Sequence, residues 1–155
     1  MNAGRVVVCG AVAQKPRQPG HTWQFLQYLL GFRRLGYEVL LVDRLATPEP
    51  NLVDHVRSTL DRFDLAWTIA HDDGVHSGLP RPETLAWVRS ADLLLNVMGF
   101  CTDEELLAAA RHRVFLDTDP GFGQMWHALG LADVLAGHDT YVTIGQRIGT
   151  PDCSI

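Results

Sequence analysis

Residues 5–43 read RVVVCGAVAQKPRQPGHTWQFLQYLLGFRRLGYEVLLVD. A short apolar run (5–9) precedes a polar loop, a helical stretch (22–35) and a second apolar run (38–43). Both runs are continuous rather than alternating, as expected of strands covered on both faces. Between them Phe25, Leu26, Leu29 and Phe32 recur at helical spacing and form the face that turns to the sheet. Thr22 is placed to cap this helix, Arg33 and Arg34 suit the negative end of its dipole, and Gly36 offers the left-handed stop. Strand, crossover helix and strand in this order form the unit of a parallel sheet.

The alternation continues along the chain. Further strands are expected at 65–70, 92–97, 113–117 and 140–144, with helices at 51–63, 82–89, 102–112 and 123–135. Thr102 followed by Asp103, Glu104 and Glu105 reads as a capping box with an acidic first turn. Pro80 and Pro82 break the chain before the third helix. The pattern predicts one α/β domain over 1–155, Rossmann-like, with three αβα layers. Its sheet is expected to be mostly parallel, of about six strands, with the first strand near its centre. A chain of 155 residues with 46% apolar and 20% charged residues buries an adequate core, which excludes a disordered or fibrous chain.

Composition narrows the partners. A net charge of −5 with both signs interspersed offers no basic stripe for phosphates, so no nucleic-acid partner is expected. No apolar run approaches the roughly 20 residues of a transmembrane segment. Val6-Val7-Val8 is too short for a signal-peptide core. Cys9, Cys101 and Cys153 are odd in number and lack C-x-x-C spacing, which reads as a reduced, cytoplasmic chain without a zinc module.

In such sheets ligands bind beyond the carboxyl ends of the strands, near the switch in strand order. Gly10, Gly20, Thr22, Trp23, Gly99 and Thr118 are the substrate-binding candidates there. The first loop holds only Gly10 and Gly20, with Pro16 and Pro19 between them and no apolar anchor beyond Ala11 to Ala13, so a mobile loop is expected. That spacing is no dinucleotide fingerprint despite Asp43 ending the second strand, and no Gly-Lys-Ser/Thr follows, so neither NAD nor a P-loop nucleotide is expected. His21 reads as a base, an anion-binding group or an orienting group, or as a solvent-exposed residue before the cap. Asp117 and Asp119 flank Thr118, and one of the two carboxylates is placed to orient a histidine. The alternatives are an Asp-Pro-Gly turn with a capping carboxylate and, from the D-x-D spacing, a metal-held phosphate. His71-Asp72-Asp73-Gly74-Val75-His76 reads as a solvated loop, Trp126 and His127 as core packing, and Gly137-His138-Asp139 as a helix stop.

Two segments carry a resemblance. Residues 20–39, GHTWQFLQYLLGFRRLGYEV, resemble the first loop, helix and second-strand entry of GT-B-type glycosyltransferases. Residues 114–122, VFLDTDPGF, continued by Gly137-His138-Asp139, Thr143-Ile144-Gly145 and residues 148–155, IGTPDCSI, are similar to the same group. The resemblance implies an N-terminal acceptor-binding domain facing a C-terminal donor-binding domain that this chain lacks, supplied in cis or as a split subunit. It also implies a hexosyl-transferring enzyme with a nucleotide-sugar donor, a small-molecule acceptor, no bound metal and no cofactor. His21 matches the base in order and spacing, with Asp117 or Asp119 as its partner, although the flanking residues differ. The chain by itself is then expected to transfer no sugar. The competing readings are a non-catalytic Rossmann-like module that binds a small ligand or a partner, and a nucleotide-sugar epimerase, which also needs a second half.

Overall fold

The computed structural model describes residues 4–148 and 150–153, so Gly149, Ser154 and Ile155 of the resembling C-terminal segment lie outside the described residues. Seven strands form one sheet: β1 (Gly4–Cys9), β2 (Tyr37–Leu45), β3 (Ala66–His71), β4 (His76–Gly78), β5 (Leu93–Val97), β6 (Arg113–Asp117) and β7 (Thr140–Thr143). Their order is β4-β3-β2-β1-β5-β6-β7, and every pairing is parallel except β3 with β4. The first strand lies at the centre, and the sequence order reverses between β1 and β5. This is the expected α/β, Rossmann-like arrangement with one further strand.

Alternation along each strand builds the layers. Val6, Val8, Val39, Leu41, Leu95, Val97, Val114 and Leu116 pack against Phe25, Leu26 and Leu29 of α1 (Pro19–Arg34) and Val53, Val56 and Leu60 of α2 (Pro50–Leu60). Their neighbours Val7, Cys9, Leu40, Val42 and Leu94 turn to the other face, against Leu85 and Val88 of α3 (Arg81–Ser90) and Leu106 of α4 (Glu104–Ala109). A short fifth helix, α5 (Phe122–Ala128), follows β6.

Four expectations are corrected. β4 carries no apolar run; it forms because Gly74, at φ +81°, turns the chain back and the His71 N–H donates to the Val75 carbonyl at 2.9 Å. The segment expected as a solvated loop is therefore a hairpin, and His71 within it is buried, its Nε2 2.9 Å from the Ser77 hydroxyl. α4 is shorter than 102–112: its cap is Asp103, not Thr102, accepting from the Leu106 N–H at 3.0 Å, and the His112 carbonyl already serves β5. α5 ends at Ala128 rather than 135, because Gly130 takes a positive φ and the Leu131 N–H folds back onto the Trp126 carbonyl. Trp126 and His127 consequently face outward rather than into the core.

Among the described residues no helix is long and apolar enough to cross a membrane. Cys9, Cys101 and Cys153 are free thiols.

Candidate functional site at the carboxyl edge of the sheet

The loop after β1 is sewn to the end of β2. The Gly10 N–H donates to the Val42 carbonyl at 3.0 Å, the Ala13 N–H to Asp43 Oδ2 at 2.7 Å, and the Gln14 amide to the Arg44 carbonyl at 3.1 Å. Ala11, Val12 and Ala13 are fully buried. Burial pushes the Asp43 carboxyl up to about 7, against the backbone N–H groups of Ala13 and Arg44, which favour its charged form.

α1 begins earlier than Thr22. Pro19 takes the first helical position, where its missing N–H costs nothing, and Gln18 precedes it without a side-chain cap. Thr22 is thus inside the helix and buried, not a cap, while Trp23 points outward, 51% exposed. Gly20 is exposed with open space where a Cβ would stand. At Gly10 that space is filled by the Phe25 ring at 2.6 Å, so the glycine there serves packing. Gly99, at φ +72°, follows Met98 at φ +53°, and a Cβ on Gly99 would meet Phe115 at 3.3 Å.

His21 sits at the mouth of the first loop, half-buried. Its ring packs edge-on against Phe25 and Phe100, centroids 5.1 and 6.4 Å away. Its Nε2 lies 3.1 Å from the Ala11 carbonyl. A carbonyl only accepts, so the geometry assigns the proton to Nε2 and leaves the Nδ1 lone pair free, with no partner among the described residues. Burial holds the imidazole below its ordinary value, aided by Lys15 and opposed by the Ala11 bond.

The structure makes no His21–Asp pair. Asp117 shares the strand face of Phe115, whereas Val114 and Leu116 are the residues that meet α1. Asp117 instead accepts from the Gln124 amide, from the Thr143 hydroxyl at 3.2 Å and from the Asp119 N–H at 3.1 Å. This is the capping-turn arrangement, completed by the Gly121 N–H on Gln124 Oε1 at 2.8 Å. Asp119 is exposed. Thr118 hydrogen-bonds across to α1: its hydroxyl accepts from the Gln24 amide at 2.9 Å, and its N–H points at the Met98 sulfur.

Asp117 and Asp119 line a cavity of about 300 Å³ with Met98, Phe115, Phe122 and Trp126. Its walls are mostly apolar, and both charged groups on it are acidic. Met98 lies on the cavity and Phe100 against His21, so the cavity and the imidazole flank one turn, 98–100.

Asp43, Asn96 and His138 carry polar contacts that sequence reading assigned no role at the site. Asn96, fully buried on β5, accepts from the Cys101 N–H at 2.9 Å, donates to its carbonyl at 3.0 Å, and faces His138 Nε2 at 3.1 Å. A polar residue amid the Leu-Leu-Leu and Val of β5 is the signal that marks it.

No known protein-family model matches the chain, and no curated protein matches it either.

Proposed function

We propose that this chain is the acceptor-binding domain of a GT-B-type glycosyltransferase, with His21 as the base. The observation that carries this reading is the placement of His21: an imidazole at the switch in strand order, its Nε2 3.1 Å from the Ala11 carbonyl and its Nδ1 free. In transfer, the acceptor oxygen bonds to the anomeric carbon while its proton moves to Nδ1. The bond from that carbon to the nucleoside diphosphate breaks, and its electron pair leaves with the phosphate. A base so placed contributes about 10²–10⁴-fold. Ala11 takes over the orienting part expected of Asp117 or Asp119, and the two carboxylates serve the acceptor cavity instead. An apolar acceptor body fits between Phe115, Phe122 and Trp126, and an acceptor hydroxyl or amine suits Asp119 at the rim.

Donor binding belongs to a second domain. The first loop lacks a glycine-rich phosphate cradle, and the acceptor cavity is acidic, which disfavours a diphosphate. Titration of the chain with UDP- and TDP-sugars is expected to show no binding. A hydroxylated aromatic such as tyramine is expected to bind weakly, with an indole fluorescence change that Trp126→Ala removes. Micromolar donor affinity, or transfer by the chain alone, overturns the half-enzyme reading.

A second reading has its own support. Phe122, Met125, Trp126, Leu129 and Leu131 are all exposed along one stretch, which suits a non-catalytic module docking through that face. Stable self-association or capture of a partner enzyme, with no acceptor binding, favours that alternative.

A further inference from the structure

Asp43 is 1% exposed and both its oxygens are committed to backbone. Oδ1 accepts from the Arg44 N–H at 2.6 Å, within its own strand, and Oδ2 accepts from the Ala13 N–H at 2.7 Å, across to the first loop. Two residues before Ala13 stands the carbonyl that holds His21. The intervening backbone has little freedom: Ala11, Val12 and Ala13 are buried, and Gly10 is already bonded to Val42. We propose that Asp43 is a positioning residue for His21: by fixing Ala13 it fixes the Ala11 carbonyl, and through it the tautomer and ring angle of the imidazole. Without the carboxylate a buried N–H loses its acceptor, a cost the loop relieves by shifting toward water. The Ala11 carbonyl moves with it, and Nε2–H loses its directed partner. As a statement about catalysis this rests on reading His21 as the base; the linkage from Asp43 to His21 belongs to this chain alone and is measured without transfer.

The experiment is nitrogen-15 NMR of the imidazoles in the whole chain above pH 7, with amide exchange read in the same samples. The His21 signals are assigned by their loss in His21→Leu. Wild type is expected to show the Nε2–H tautomer at His21 and a slowly exchanging Ala13 amide. Asp43→Leu keeps volume but no acceptor; there the tautomers are expected to mix and the Ala13 amide to exchange about tenfold faster or more. Asp43→Asn retains one acceptor oxygen and is expected to rescue both signals in large part. Coupling is reciprocal, so His21→Leu, at a half-buried position, must also speed exchange at Ala13, and this arm stands if Asp43→Leu does not fold. A folded Asp43→Leu with the wild-type His21 tautomer overturns the proposal, as does an unchanged Ala13 amide in His21→Leu. If the linkage holds and His21→Ala still supports full transfer beside a donor-binding domain, the base reading fails while the positioning role of Asp43 stands.

Discussion

After β1 the chain buries Ala11, Val12 and Ala13 at once and ties the loop to β2 at Val42, Asp43 and Arg44. After β6 it does the reverse: Phe122, Met125, Trp126, Leu129 and Leu131 stay exposed, and the segment is held mainly by polar contacts around Asp117. Both segments leave the same edge of one sheet. The first is a fixed mount for a single side chain, His21. The second is a surface whose apolar atoms still have water to lose, so its stabilising contacts lie with whatever binds there. Opening free energies differ across a structure in this way, and binding segments are drawn from the less stable end.

The largest test of that contrast is a pair of phenylalanines. Phe25 is fully buried, fills the space beside Gly10 and supports the His21 ring. Phe25→Ala is expected to cost about 3–5 kcal/mol in denaturant unfolding. Phe122→Ala, at 63% exposure, is expected to cost less than about 1 kcal/mol. Equal losses at the two positions would erase the distinction between mount and surface.

Next comes the pH dependence of the mount. Folding raises the Asp43 carboxyl to about 7, so the folded chain holds this proton more tightly than the unfolded one. The stability contributed by this group is then full below pH ~3.9 and lost as pH rises through about 7. Asp43→Asn does not titrate. Relative to that variant, wild type is expected to lose about 2–4 kcal/mol of unfolding free energy between pH 4 and pH 8. The comparison between variants cancels His21 and His76, whose lowered values act with the opposite sign. A difference that stays flat over this window shows that Asp43 is ionised throughout in the folded chain.

A smaller effect separates the two segments. Asp117→Ala leaves the Gln124 amide and the Asp119 N–H without their acceptor, for about 1–3 kcal/mol. Asp117 faces away from α1, so the same change is expected to leave the His21 tautomer untouched. A shift at His21 would restore the carboxylate–imidazole pairing that the structure does not show.

Much of the fold was legible because its core strands are written as apolar runs: Val6-Val7-Val8, Val39-Leu40-Leu41-Val42 and Leu93-Leu94-Leu95 admit little else. β4 escaped because His76-Ser77-Gly78 is a pairing made by a turn, with no apolar period to announce it. The site was legible in location only. His21 and the Asp117 turn do lie at the carboxyl edge, yet their pairing depends on which face each strand residue takes, and one step of alternation decides that. Asp43 is legible only as the acidic residue ending the second strand, and nothing in its neighbours reveals that it reaches a loop 30 residues back.

The smallest effect carries information about both stability and binding. Gly20 is the second residue of α1, without a positive φ and with nothing within 4 Å of a built Cβ. Alanine loses less backbone freedom than glycine on entering a helix, so Gly20→Ala is expected to stabilise the chain by about 0.4–1 kcal/mol. The substitution adds a methyl group at the mouth of the first loop, one residue from His21. If Gly20 only starts the helix, tyramine affinity stays at the wild-type value while the melting temperature rises. If its bare backbone receives the acceptor, affinity falls although the protein is more stable, because the methyl group occupies the approach. Opposite movements of stability and affinity would therefore return Gly20 to the binding surface, whereas a parallel or null change in affinity leaves it a helix residue.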